Sequence, residues 1–259
     1  LDEEWKKILL VLEKGSLNEL YDRLNELAKR LRTLERRIEL NDAVKVALIG
    51  EIFVRNEEFS RMELVERLIE NGILVKVAPI TEYVHYSNYT YKRDLKKDKA
   101  SLKEKVKFKI REYVQHRIEH NIKKVLSKSG FYEFEMINIE KLLSRAEHLI
   151  EKDVEGEAIL TVGSAFYEIL DHVSGVVALG PFGCMPSRLA ESILSVEMNL
   201  KGKRESEKNN SIYQGLEIEN LPFLAVETDG NIFPQIIQSK IEIFIQQVHR
   251  THKKLRGSK

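Results

Sequence analysis

Cys184 is the only cysteine in the 259-residue chain. It sits in Gly180-Pro-Phe-Gly-Cys-Met-Pro186, where two glycines and two prolines fix the backbone and leave room for another group to approach. The residues after it read as a helix, which Ser187 can cap. A thiol at a helix amino end feels the positive end of the dipole, and this favours the thiolate. Arg188, one turn in, adds to that field. A thiolate ligates iron or zinc, or attacks an electrophile. The alternative is an inert cysteine buried in a tight turn. Two other turns carry residues of the same kind. Glu51 follows a strand-ending Gly50 and could bind a ligand hydroxyl or cap a loop. Thr228-Asp229-Gly230 offers a carboxylate, in a pair that is also a common turn. The candidate ligand contacts are therefore Glu51, Gly180, Pro181, Gly183, Ser187, Asp229 and Gly230, with Cys184 as the candidate metal ligand.

Other chemistries have weaker signals. His116 and His120 share a helical face, but no Glu follows His116, so the zinc-protease pattern is missing. His249 and His252 lie in a basic tail and read as solvated. No Walker-type loop, Gly-x-Gly-x-x-Gly turn or Gly-x-Ser-x-Gly elbow occurs. Ser164 falls inside a helical pattern and is not a nucleophile candidate. Between Lys92 and Lys128 there are 14 Lys/Arg against 5 Asp/Glu. Tyr89, Tyr91, Phe108 and Tyr113 are interleaved there, a mixture that single-strand binding uses.

The elements that must position these residues follow from periodicity. Val44 to Ile49, Ile73 to Val77, Val176 to Leu179 and Phe223 to Glu227 are short apolar runs closed by Gly, Pro or a turn. They predict four strands. Helical patterns follow them at Met62 to Ile69, from Ser187 to Leu200, and from Ile236 to Val248, with others at Ile139 to Ile150 and Ala158 to Ile169. Strand, helix, strand over about 35 residues makes β1 and β2 parallel. The expected fold is an open parallel α/β sheet, flavodoxin- or Rossmann-like, in three layers. It has an N-terminal helical segment (1–40) and a helical insertion at about 86–139 within the 41–259 domain. Leu17 to Ile38 alternates by threes and fours, as a seam against a neighbouring helix or a dimerising coiled coil. Residues 201–220 read as a polar surface loop. In such sheets ligands bind beyond the carboxyl ends of the strands, so the three turns belong on one rim.

Composition bounds the function. With 42 Lys+Arg, 41 Asp+Glu and 42% hydrophobic residues, the chain is folded rather than disordered. A net charge of +1 argues against whole-surface nucleic-acid binding. No apolar run reaches the roughly 20 residues of a membrane helix and no signal peptide is visible, so a cytoplasmic protein is expected. One cysteine forbids an internal disulfide. The chain opens on Leu1 rather than Met, and is expected to be a piece of something longer.

Several stretches carry a resemblance in the same order. They are Gly50-Glu-Ile-Phe-Val-Arg55 with Glu58-Phe-Ser60 and Pro79-Ile-Thr-Glu82, then Gly156-Glu-Ala-Ile-Leu-Thr-Val-Gly-Ser164, Gly180 to Ser187, Leu221-Pro-Phe-Leu and Glu227-Thr-Asp-Gly230. Together they resemble activase-related proteins of the 2-hydroxyacyl-CoA (2-hydroxyglutaryl-CoA) dehydratase superfamily, over residues 44–85 and 140–250. The resemblance implies the C-terminal part of a dehydratase-like half. Its relatives perform radical dehydration, using an ATP-hydrolysing activase and a 4Fe–4S cluster in the dehydratase component. It implies Cys184 as one cluster ligand, an acyl-CoA at the rim, and an activase or dehydratase partner domain. Such clusters use several thiolates, so the others would lie outside this chain. The chain alone is then expected to be a non-catalytic fragment holding no cluster by itself.

Two other readings compete. One is a non-enzymatic interaction domain binding phosphate-rich or acidic partners through the basic insertion. The other is a flavodoxin-like small-molecule enzyme using Glu51, Cys184 and Asp229.

Overall fold

Four apolar runs become four strands in a computed structural model. It describes residues 2–257 apart from 37, 62, 98–100, 155, 210, 212, 230 and 232–234. The strands are β1 (Val44–Gly50), β2 (Ile73–Val77), β3 (Gly175–Pro181) and β4 (Phe223–Thr228). All pairings are parallel and the order is β2-β1-β3-β4. The fold is thus an open, parallel α/β sheet. Successive connections run one way from β1 to β2 and the other way from β2 to β3 and β4. The direction reverses between β1 and β3, the crevice where such sheets take ligands.

The helices are α1 (Asp2–Lys14), α2 (Leu17–Arg32), α3 (Glu58–Arg61), α4 (Leu64–Glu70), α5 (Ile80–Lys97), α6 (Leu102–Ser127), α7 (Ile139–Ser144), α8 (Ala158–Glu168), α9 (Met185–Glu197), α10 (Leu200–Ser206) and α11 (Gln235–Gly257). Register puts Leu48, Val177 and Leu224 side by side. With Val46, Leu179 and Val226 they form a core against Leu64 and Leu68 of α4 and Ile241, Phe244 and Val248 of α11. Helices α8 and α9 pack on the sheet as well. Their neighbours on the strands are Ala47, Val176 and Ala178, one residue out of phase with that core and therefore on the opposite face. Two helical layers thus enclose one sheet.

The chain divides into two compact units. One contains Ala43–Tyr89 and Asn138–Lys259, which hold the sheet. The other contains Leu1–Asp42 and Thr90–Ile137 and is helical. In the helical unit, Ile8, Leu20 and Leu24 pack with Val11, Leu27, Ile122, Val125 and Leu126. The leucine seam of α2 is therefore spent on α1 and α6. Ser16 closes a capping box with Glu19 at the start of α2. The helix ends at Arg32, short of the seam expected through Ile38. There the Thr33 hydroxyl donates to the Arg30 carbonyl, a local bond that competes with helix continuation.

Two segments depart from expectation. Helix α5 begins at Ile80, ahead of the helical insertion expected from about residue 86. Residues 200–206, expected as loop, are also a helix, capped by the Asn199 side chain on Gly202 N–H at 2.9 Å. The tail is helical through Gly257, and its histidines are engaged rather than merely solvated. His249 Nε2 lies 3.0 Å from the Asn71 carbonyl oxygen, and His252 Nδ1 3.2 Å from Ser174 Oγ. No helix among the described residues is long and apolar enough to cross a membrane.

Candidate functional site at the carboxyl rim of the sheet

The strand ends bring the three turns together. Gly50 pairs with Leu179, and Pro181 pairs with Thr228. Beyond the register, Glu51 N–H donates to the Leu179 carbonyl at 2.9 Å and Phe182 N–H to the Thr228 carbonyl at 3.0 Å. The turns after β1, β3 and β4 are therefore neighbours on one edge, with the first two flanking the switch point.

Cys184 is the N-cap residue of α9, half-buried, at the mouth of the β3 turn. Its N–H donates to the Pro181 carbonyl at 3.1 Å and its carbonyl accepts the Arg188 N–H at 3.0 Å. Gly183 takes φ +72°, a conformation that suits glycine, and reverses the chain ahead of the cysteine. Ser187 does not cap the helix as expected. It lies inside the first turn, and its Oγ is only 2.5 Å from where a Cβ on Gly180 would be. Gly180 is thus needed for contact between β3 and α9. Among the described residues Arg188 pairs with Glu191 at 2.7 Å and Glu227 at 3.3 Å. The second Glu227 oxygen, Oε1, is buried with no partner among the described residues. Glu227 also lines a small, partly open cavity of about 20 Å³ with Gly50, Thr161 and Ser187. That is space for about one water.

The β1 turn is pinned from beneath. Glu51 Oε2 accepts the Val54 N–H at 2.8 Å, so this carboxylate caps its own loop. Arg55 is 2% exposed. It donates to the Gly50 carbonyl at 2.9 Å, reaches the Pro79 carbonyl at 3.4 Å, and lies 3.5 Å from Glu82. Glu82 in turn accepts the Ser164 hydroxyl at 3.0 Å. Ser164 is hence a buried support and no nucleophile. Glu157 stands beside this turn and accepts the Ile52 N–H. Its neighbour Gly156 packs within about 3.5 Å of Pro186, measured from an added Cβ, at the head of α9. Asp229 is exposed and folded back on Asn231, whose N–H and side-chain amide it accepts at 3.0 and 2.9 Å. These bonds hold its carboxyl below the usual range. Gly230 lies outside the described residues.

Arg55, Glu82, Glu157 and Glu227 were quoted as parts of motifs but given no role from sequence. Only the fold brings positions 55, 82 and 164 together. Burial, with the Glu51 charge second, raises the Glu157 pKa. Burial raises that of Glu82 more than Arg55 lowers it. Both groups hold protons that the unfolded chain releases. Above the ordinary value of 4.5 they therefore make stability fall as pH rises through their folded pKa values. His148, whose pKa burial lowers, acts in the opposite sense below 6.5. Subtraction against a variant separates the two. Glu157→Gln is expected to flatten the fall in unfolding free energy with pH above 4.5, read by urea denaturation and circular dichroism. An unchanged slope would remove Glu157 as a proton-holding group.

The donor set at this rim does not build an iron–sulfur site alone. Such clusters rest on several thiolates, and Cys184 is the chain's only cysteine. Among the described residues no three His, Cys, Asp or Glu side chains gather as a metal site. His120 instead stacks edge-on against Phe134. In the helical unit Phe108 is buried and Arg111 lies over it and Tyr91, at 5.2 and 5.4 Å from the ring centroids. Phe108 is thus used internally, while Tyr91 and Tyr113 are 44% and 63% exposed. No family model, curated protein or solved structure matches the chain.

Proposed function

We propose that this chain is the C-terminal, rim-bearing α/β portion of a 2-hydroxyacyl-CoA dehydratase-type protein. It presents Cys184 as one ligand to a 4Fe–4S cluster whose other thiolates belong to polypeptide outside these residues. It is catalytically silent by itself. An acyl-CoA is the small molecule that the same rim would receive, and an activase or dehydratase domain is its partner.

One observation carries the reading. The turns after β1, β3 and β4, distant in sequence, meet on the carboxyl edge, the first two flanking the switch point, with a half-buried cysteine at the head of a 13-residue helix. Gly180 and Gly183 keep side chains out of its approach, and Glu51, Glu157 and the buried Arg55 hold the adjoining turn rigid.

The test is anaerobic reconstitution with ferrous iron and sulfide. The chain alone is expected to hold no stoichiometric cluster. The longer polypeptide is expected to hold one, and Cys184→Ala to reduce its iron content and alter its visible spectrum. Iron content and spectrum unchanged in Cys184→Ala would refute the ligand assignment. A second measurement, calorimetric titration of the chain with an acyl-CoA, examines the rim independently of the metal.

A further inference from the structure

The first half of α6 turns an apolar stripe outward. Phe108 is buried and packs on Tyr91 of α5, with ring centroids 5.2 Å apart. Glu119, three turns along the same side of the helix, is buried as well. These two mark the inward side of this stretch. Successive residues of a helix turn by about 100°, so Leu102, Val106, Ile110, Tyr113 and Val114 all lie within about 60° of the direction opposite Phe108. Each of them is exposed, Leu102 by 78% and Ile110 by 60%. The stripe is about 18 Å long. Contiguous exposed apolar surface of this kind marks an interaction site.

The charges on that side have one sign. Lys103, Lys107, Lys109 and Arg117 fall within about 80° of the same direction, and all four are exposed. Lys107 and Lys109 flank the stripe on opposite sides. The acidic residues of this stretch, Glu104 and Glu112, lie more than about 130° away. Glu104 is moreover held in a capping box with Ser101. Arg117 donates to the Tyr113 hydroxyl at 3.3 Å. Lys103, Lys107 and Lys109 make no ion pair or hydrogen bond among the described residues.

This pattern selects among surfaces. A second copy would set the same cations against one another. Single-stranded nucleic acid stacks its bases on rings, and this side offers one ring, Tyr113, among aliphatic side chains. An amphipathic helix of an acidic protein seats in a groove, whereas this stripe runs along the outward crest of one helix. An anionic bilayer meets both halves of the pattern. Leucine, valine and isoleucine enter the acyl boundary, and tyrosine favours the interface. Lysines on either flank keep their stems on apolar surface and their ammonium groups among lipid phosphates.

We propose that α6 lies flat on an anionic phospholipid bilayer through this stripe and attaches the helical unit to it without crossing it. The attachment is a property of the helical unit and does not depend on the dehydratase-type reading of the rim.

The test is sedimentation of the chain with unilamellar vesicles, one set of phosphatidylcholine alone and one containing about 30% phosphatidylserine. Partition into the anionic set is expected to be about tenfold stronger or more, and to weaken as salt is raised. Val106→Ser with Ile110→Ser is expected to weaken it by about tenfold or more through lost apolar burial. Replacing Lys103, Lys107 and Lys109 together by Gln is expected to weaken it by about tenfold or more through lost charge. All five side chains are exposed, so both variants should keep the circular dichroism spectrum of the parent. No partition into anionic vesicles, or equal partition into both sets, overturns the proposal. So does unchanged binding in the serine pair, which would leave charge alone at work. A uridine oligonucleotide bound in place of vesicles would reassign this side of α6 to nucleic acid. A lipid-independent dimer that the serine pair dissociates would reassign it to a second copy.

Discussion

Replacing Lys203 by Met is expected to cost about 3–5 kcal/mol of folding free energy, the range for removing one partner from a buried ion pair. Lys203 is fully buried on α10. Its ammonium donates to the Phe166 carbonyl at 2.6 Å, Asp171 Oδ2 at 2.7 Å and Glu207 Oε1 at 3.0 Å. An ammonium has three donors and here all three are used. Met matches the stem but donates nothing, so two carboxylates and a carbonyl lose their partner together. Arg145 still pairs with Glu207, and the Tyr213 hydroxyl still donates to Asp171. These contacts limit the loss without replacing the cation. Burial alone would raise the Asp171 pKa, but the Lys203 charge and the bonds from Lys203 and Tyr213 outweigh it and bring it down. Stability from Asp171 is thus present above its ordinary 3.8 and is lost as pH falls through the lower folded value. Adding Asp171→Asn to Lys203→Met removes one stranded charge. The double variant is expected to lose less than the sum of the two single losses. Urea denaturation followed by circular dichroism measures all three; strict additivity, or a loss under about 1 kcal/mol for Lys203→Met, would show that the three contacts are not a buried charge network.

The same residue explains why α10 was invisible in the sequence. Leu200-Lys-Gly-Lys-Arg-Glu-Ser206 has one apolar residue and reads as loop, because hydrophobic periodicity is silent when the buried face is polar. Leu200, Gly202, Lys203 and Ser206 are nonetheless buried. The first turns of α5, ahead of the insertion expected from about residue 86, were missed for the same reason: the buried position there is Glu82. The strands were legible because each is a compact apolar run ended by glycine, proline or a turn. Helices α8 and α11 were legible because apolar residues recur at helical spacing.

The rim divides along similar lines. Its turns could be placed because strand ends and their order suffice to gather Glu51, Cys184 and Asp229. The groups that make the β1 turn rigid could not. Arg55 meets Glu82 across 27 positions and Glu82 meets Ser164 across 82. Charge pairs at such separations have no local pattern. What could have flagged them is the density of charge beside apolar motifs, in Val54-Arg55 and Thr81-Glu82.

Gly50→Ala should be the most damaging small substitution at this rim, with an expected loss of about 2–5 kcal/mol. Two costs combine. Gly50 has φ +107°, where an L side chain is strained by roughly 1–2 kcal/mol. A Cβ there would also lie 2.1 Å from the Leu179 carbonyl oxygen and 2.8 Å from its nitrogen. Those atoms belong to the backbone of β3, so no rotamer change relieves the overlap, and forced displacement in packed interiors costs about 1–3 kcal/mol more. Gly183→Ala separates the two terms, since Gly183 has φ +72° and nothing within 4 Å of an added Cβ. It should show the conformational cost alone. The difference in denaturation midpoint between the variants then measures how closely β1 and β3 approach. The displacement would also strain the Glu51–Leu179 bond that joins the β1 turn to the Cys184 strand. Gly50→Ala should therefore change the rate at which a disulfide reagent modifies Cys184. If Gly50→Ala costs no more than Gly183→Ala and leaves that rate alone, the β1 and β3 turns are not mechanically coupled, and the rim cannot act as one site.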